Sequence, residues 1–216
     1  MPYFDLNKYN KELKNILLIH IPKTGGTSLE LYLADKYKIR LDEEHMITIN
    51  RDNFFEEISL QHQTLLNIIN NNNIFKVDFN NLDIITVIRN PYNRLLSDLF
   101  FFNLIEKNTG TDKIYKIVKN ILLENSTNKK KYDNHFTPQY LFISDKHKNL
   151  YPNIIILRTE NLNNMMYELG YNDFNNYNNK SKCTTDNIDK YFNRLTKNLI
   201  NKYYERDFIL FNYNML

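Results

Sequence analysis

The chain of 216 residues contains one cysteine, Cys183, and no tryptophan. A single cysteine cannot form an intrachain disulfide, so the fold does not depend on oxidation and suits a reducing compartment. No segment approaches the ~20 consecutive apolar residues needed to span a bilayer. The N-terminal Met-Pro-Tyr-Phe-Asp-Leu lacks a basic stretch followed by an apolar one. These absences predict a chain without a membrane span, cytoplasmic as it stands and secretory only if an anchor has been trimmed away. Excess charge of one sign is also scarce. A formal net charge of +3 and a pI near 8.7 are too mild to argue for nucleic acid, which is not expected as a partner, but they suit a polyanionic ligand. The only cationic run, Lys129 to Lys131, lies in a polar stretch that reads as a solvated loop.

What is present is ample apolar material. With 42% hydrophobic and 14% aromatic residues, the chain can bury a sizeable core, and its length fits a single domain over residues 1–216. No repeat of solenoid period and no shift in composition divides it. Roughly one residue in six is asparagine, well above average usage, with clusters at Asn70 to Asn73, Asn161 to Asn164 and Asn175 to Asn179. This bias reads as AT-rich coding and surface loops.

Three short apolar runs, Asn15 to Ile21, Asp83 to Ile88 and Asn153 to Leu157, read as buried strands. Helical patterns lie over Ser28 to Tyr37, Asn53 to Ile69 with an interruption, Tyr92 to Glu106, Lys113 to Glu124 and Thr196 to Glu205. Segments Asn125 to Asn134 and Tyr171 to Asp186 read as irregular. Strands alternating with helices predict an α/β fold of three layers: a mostly parallel central sheet with helices on both faces and ligands at the carboxyl ends of the strands.

Two of those strand ends carry motifs. Ile16 to Ser28, Ile-Leu-Leu-Ile-His-Ile-Pro-Lys-Thr-Gly-Gly-Thr-Ser, runs a strand into a glycine loop. Gly25 and Gly26 let the backbone approach a phosphate, Lys23 adds a point charge, and Thr27 and Ser28 supply hydroxyls or cap the following helix. The usual nucleoside-triphosphate loop places lysine after its last glycine, whereas Lys23 precedes both. The second motif is Val87-Ile88-Arg89-Asn90-Pro91-Tyr92-Asn93-Arg94-Leu95-Leu96-Ser97. Pro91 suits the first position of a helix. If the helix starts near Tyr92, Asn93 and Ser97 share a face with Arg89 just ahead of it, so Arg89 and Ser97 can converge on one anion. Two separate phosphate sites suggest a ligand with phosphates at two ends.

On these two motifs the chain resembles the sulfotransferase superfamily, in particular its carbohydrate branch, which has a P-loop, nucleotide-kinase-like sulfotransferase fold. Weaker similarities lie in Asp133-Asn134-His135-Phe136-Thr137-Pro138-Gln139, like the family's His-x-x-Pro-Gln segment, and in Ile154 to Leu162 with Met166 to Leu169. Asn179-Lys180-Ser181 and Tyr203-Tyr204-Glu205-Arg206-Asp207-Phe208 through Tyr213 resemble its C-terminal pattern. The resemblance implies 3′-phosphoadenosine 5′-phosphosulfate (PAPS) as donor, no required metal, and a glycan or other hydroxyl-bearing acceptor. It implies that Lys23, Thr24, Gly25, Gly26, Thr27 and Ser28 hold the 5′-phosphosulfate and that Arg89 and Ser97 hold the 3′-phosphate. Lys180 and Ser181 would close over the 3′-phosphate or adenine, unless they belong to a solvated basic loop.

Sulfuryl transfer needs charge stabilisation on the leaving oxygen and a base for the acceptor hydroxyl. Lys23 fits the first role. For the second the candidates are His20, His45, His62, His135 and His147, with Glu43 and Glu44. His20 belongs to the strand before the loop and reads as structural, and His147 as a surface residue. His62 lies between the motifs, where some family members place a histidine base, and is the first choice, with an ordinary helix-face histidine as the alternative. His45 is the runner-up, and His135 matches a segment near the family's acceptor cleft. Two other functions stay open: a nucleotide or small-molecule kinase on the same cradle, and an inactive nucleotide-binding module.

Overall fold

The computed structural model describes residues 3–8, 10–39, 58–175 and 188–216. In chain order the strands are β1 (Tyr3–Phe4), β2 (Asn15–Ile19), β3 (Leu82–Ile88) and β4 (Ile154–Arg158). The helices are α1 (Gly26–Lys36), α2 (Leu65–Asn70), α3 (Asn72–Phe75), α4 (Pro91–Phe101), α5 (Thr111–Thr127), α6 (Leu162–Glu168), α7 (Ile188–Tyr191), α8 (Arg194–Tyr203) and α9 (Glu205–Leu210). The chain divides into two compact units, Met1–Ile88 with Leu141–Asn179 and Arg89–Tyr140 with Lys180–Leu216.

The first unit holds a four-stranded, mostly parallel sheet in the order β1-β2-β3-β4, with helices around it, so the fold is α/β. β2 pairs in parallel with β3, Ile19 opposite Thr86, and β3 in parallel with β4, Ile88 opposite Arg158. Every residue of β2 is buried, as an interior strand of a parallel sheet requires, and this is why its sequence is a continuous apolar run. The two-residue β1 adds an antiparallel edge, Tyr3 opposite Leu17; so short a strand leaves no alternation to read. Phe4, Ile16, Leu18, Leu33, Val87 and Met166 belong to one core cluster here. At the carboxyl end of the sheet Thr86 Oγ1 donates to Ile19 C=O at 2.8 Å, fixing where β2 stops.

The second unit packs α4, α5 and α8 around Leu95, Leu99, Val118, Phe136, Ile200 and Phe208. Several boundaries differ from the sequence expectation. The helix expected over Tyr92 to Glu106 ends at Phe101, because Asn103 takes a left-handed φ of 54°. Leu104 N–H then reaches Leu99 C=O at 2.9 Å and Asn103 N–H reaches Phe100 C=O at 3.1 Å, the Schellman closure with asparagine in the place of glycine. Asn125 does not open a loop: α5 continues to Thr127, with Asn125 fully buried and its amide donating to Tyr203 Oη at 2.8 Å. Lys129 to Tyr132 form a 3-10 turn rather than irregular chain. The C-terminal helix breaks at Tyr204, whose hydroxyl donates to Phe136 C=O at 2.9 Å, and resumes as α9.

No helix among the described residues is long and apolar enough to cross a membrane.

Candidate active site

In the first unit, β2 delivers the chain into residues 20–25, and α1 starts at Gly26 with Gly25 as its N-cap at φ 97°. Only glycine takes that conformation without strain. Lys23 also has a positive φ of 62°, uncommon for a residue with a side chain and a sign of a tightly specified loop. The Thr24 hydroxyl is engaged within the loop, donating to Ile21 C=O at 2.8 Å, so what Thr24 can offer an anion is backbone. Thr27 is half-buried and Ser28 buried, both in the first turn of α1. That turn presents N–H groups and the positive end of the helix dipole to the loop.

Two side-chain arrangements hold this loop. Thr159, just beyond β4, places its hydroxyl against the carbonyls of Thr24 and Ile88, the latter at 3.0 Å, and shares one proton between them. Beneath α1, the buried His20 ring bonds through Nδ1 to the fully buried Glu30 carboxylate. Gln61 donates to Glu30 Oε2 at 2.9 Å and lies 3.0 Å from His20 Nδ1. Burial works to raise the Glu30 carboxyl, but the charge and hydrogen bond of His20, with the Gln61 amide, outweigh it and hold the group below its ordinary value. His20 is thus tied into a hydrogen-bonded cluster with Glu30 and Gln61. His62, in a 3-10 turn from Leu60 to His62, is buried with its ring edge-on to His20 at 5.4 Å between centroids.

The second unit carries Arg89, Ser97 and His135. Asn90 caps α4, its Oδ1 accepting from Tyr92 N–H at 3.0 Å, and Pro91 takes the first helical position, as the motif predicts. Ser97 is buried one turn on from Asn93. Asn93 Oδ1 is buried with no hydrogen-bond partner among the described residues, an acceptor that a ligand donor would satisfy. Arg94, in the same motif, is core: its guanidinium donates to the carbonyls of His135 and Thr137, the latter at 2.8 Å. The buried His135 ring bonds through Nδ1 to Asp98 Oδ1 at 2.7 Å, stacks on Phe101 at 5.2 Å and meets Phe102 edge-on at 4.9 Å. A carboxylate on one ring nitrogen fixes the orientation of the imidazole.

The loop residues Lys23 to Ser28 and His62 thus fall in the first unit, and Arg89, Ser97 and His135 in the second. His147 is exposed. Glu43, Glu44, His45, Lys180 and Ser181 lie outside the described residues. The sequence reading assigned no role to Glu30, Gln61, Asp98, Thr159 and Asp207: Thr159 and Asp207 stand in segments that resemble the family's, and Gln61 and Asp98 are the chain neighbours of His62 and Ser97, but the partner each one holds is not visible in the sequence.

A parallel strand that ends in a glycine loop with an early lysine, followed by a helix N-terminus, is an α/β arrangement of a kind suited to an anion. Which class of anion-handling protein it is follows from comparison: the sulfotransferase family model matches residues 9–214, and the chain belongs to that family. No curated protein and no solved structure matches the chain significantly.

Proposed function

We propose that this sulfotransferase uses PAPS as donor and transfers its sulfuryl group to a hydroxyl, most simply that of a carbohydrate, over a single domain spanning residues 1–216. The observation that carries the reading is the loop itself: Lys23 precedes Gly25, and α1 begins at Gly26, an order suited to a phosphosulfate rather than to a triphosphate with its metal. The family match through both units supports the single domain.

In this reading the backbone of Thr24 to Gly26 and the first turn of α1, with Thr27 and Ser28, hold the 5′-phosphate. Arg89 and Ser97 hold the 3′-phosphate, with Lys180 and Ser181 closing over it. The acceptor oxygen attacks sulfur in line, the bond from sulfur to the bridging oxygen breaks, and its electron pair leaves with 3′,5′-ADP. Lys23 neutralises the charge that develops on that oxygen. The acceptor proton passes to an imidazole: His62 is the first assignment, and His135, oriented by Asp98, contacts the acceptor or supports its loop. No step calls for a metal.

The test is transfer of ³⁵S from labelled PAPS to a panel of glycans and phenols. Label on a glycan hydroxyl, lost in Lys23→Ala, supports the assignment. Tight nucleotide binding without transfer to any acceptor would identify an inactive binding module, and phosphate transfer from ATP would identify a kinase.

A further inference from the structure

Gln139 is fully buried, and both ends of its side-chain amide engage one residue. Oε1 accepts from the Arg89 N–H at 2.9 Å, and Nε2 donates to the Arg89 C=O at 2.9 Å. Arg89 directly follows the last residue of β3, so the amide serves the backbone groups of the residue just past the strand, where regular pairing stops. Gln139 is fixed in turn by Asp207. The Asp207 carboxylate accepts from Gln139 N–H through Oδ2 and from Tyr140 N–H through Oδ1, each at 2.8 Å. Asp207 is itself fully buried. A buried carboxylate is costly unless its oxygens are satisfied, and here each oxygen has a backbone N–H. The chain Asp207, Gln139, Arg89 is therefore continuous: Asp207 holds the adjacent N–H groups of Gln139 and Tyr140, and the Gln139 amide holds both backbone groups of Arg89.

We infer that Gln139, held by Asp207, is a positioning residue that sets Arg89 for the 3′-phosphate and thereby determines selectivity for a nucleotide bearing that phosphate. The inference rests on the reading of Arg89 proposed above. A forked guanidinium grip on phosphate is directional, so it depends on where the arginine backbone is anchored. Only a side chain with an acceptor and a donor at the same reach makes both bonds to Arg89; leucine makes neither.

The test is calorimetric titration of the full chain with 3′,5′-ADP and, separately, with 5′-AMP, for the unmodified protein, Gln139→Leu and Asp207→Asn. The unmodified protein is expected to prefer 3′,5′-ADP. Gln139→Leu is expected to lose about tenfold or more of that preference, the scale of a charge-assisted hydrogen bond, with 5′-AMP affinity unchanged. Asp207→Asn, which keeps one acceptor oxygen, is expected to lose a smaller part, and it carries the comparison if Gln139→Leu does not fold. A preserved preference in the variants, or an equal loss for both nucleotides, would overturn the positioning role. An unmodified protein without any preference for the 3′-phosphate would instead overturn the assignment of Arg89 itself.

Discussion

The α-carbon of Gly26 rests on the imidazole of His20: a Cβ at that position would lie 3.0 Å from Cγ, Cδ2 and Cε1 of the ring. The ring cannot give way easily, because it is buried and Glu30 and Gln61 hold it at Nδ1. The glycine is therefore required by close approach of the helix to the ring. Its neighbour Gly25, at φ 97°, is required by conformation.

Gly26→Ala is expected to cost about 1–3 kcal/mol, the range for overpacking a filled site, and to weaken nucleotide binding by displacing the first turn of α1. Thermal unfolding and 3′,5′-ADP titration measure the two effects. Unchanged stability with unchanged affinity would mean the ring is free to move.

Lys23 separates chemistry from folding. With φ at 62°, glycine in its place relieves backbone strain, so Lys23→Gly is expected to keep or raise Tm, by up to about 1 kcal/mol of stability. Turnover should nevertheless be abolished, as in Lys23→Ala. Substantial residual sulfate transfer in either variant would remove Lys23 from the leaving-group role.

The two candidate histidines, His62 and His135, are distinguished by kinetics. His62→Ala is expected to lower kcat by about 100-fold or more, the usual contribution of a general base, while 3′,5′-ADP affinity is retained. His135→Ala is expected to act mainly on the acceptor KM, and Asp98→Asn to follow it in the same direction because it orients the ring. The opposite pattern, with kcat lost in His135→Ala and kept in His62→Ala, would exchange the roles.

Asp207 and Glu30 predict opposite pH dependences. Burial pushes the Asp207 carboxyl up from 3.8 to about 6, partly offset by the N–H groups of Tyr140 and Gln139 and by Arg94. Its raised folded value means that its contribution to stability is fully present below the unfolded value and is lost as pH rises from about 4 to about 6, about 3 kcal/mol in all. The Glu30 carboxyl is lowered, so its contribution is present above its unfolded value and is lost as pH falls through the folded one. Unfolding by urea at pH 4 to 7 checks this: the stability of the unmodified protein relative to Asp207→Asn should fall with rising pH up to about 6 and level off above it. A flat or rising difference would contradict the assignment.

The sheet was legible because its interior strands are apolar runs, and the loop was legible because its residues are adjacent in sequence. Helix ends were less so: Asn103 and Lys38, at φ 54° in both cases, close helices in the manner of glycine; asparagine does this more readily than most residues, but nothing in a lysine announces it. Asn125 resembled a loop former by type, yet its amide has a core partner 78 positions away in Tyr203. The support of the site was hidden for the same reason. Gln61 lies 41 positions from His20, Gln139 lies 50 from Arg89, and Asp207 lies 68 from Gln139. Such pairs exist only once the chain has folded: Gln139 and Asp207 stand in segments that resemble the family's, but the residue each one holds lies far away in the chain, so the segments supply the residues and not the pairing.

The central claim is that the chain holds a nucleotide phosphorylated at both ends rather than a triphosphate with its metal. Direct titration with 3′,5′-ADP in the absence of divalent cations, against ATP with Mg²⁺, tests it without knowledge of the acceptor. The account predicts much tighter binding of 3′,5′-ADP, indifferent to added Mg²⁺; tighter binding of ATP with Mg²⁺ would contradict it.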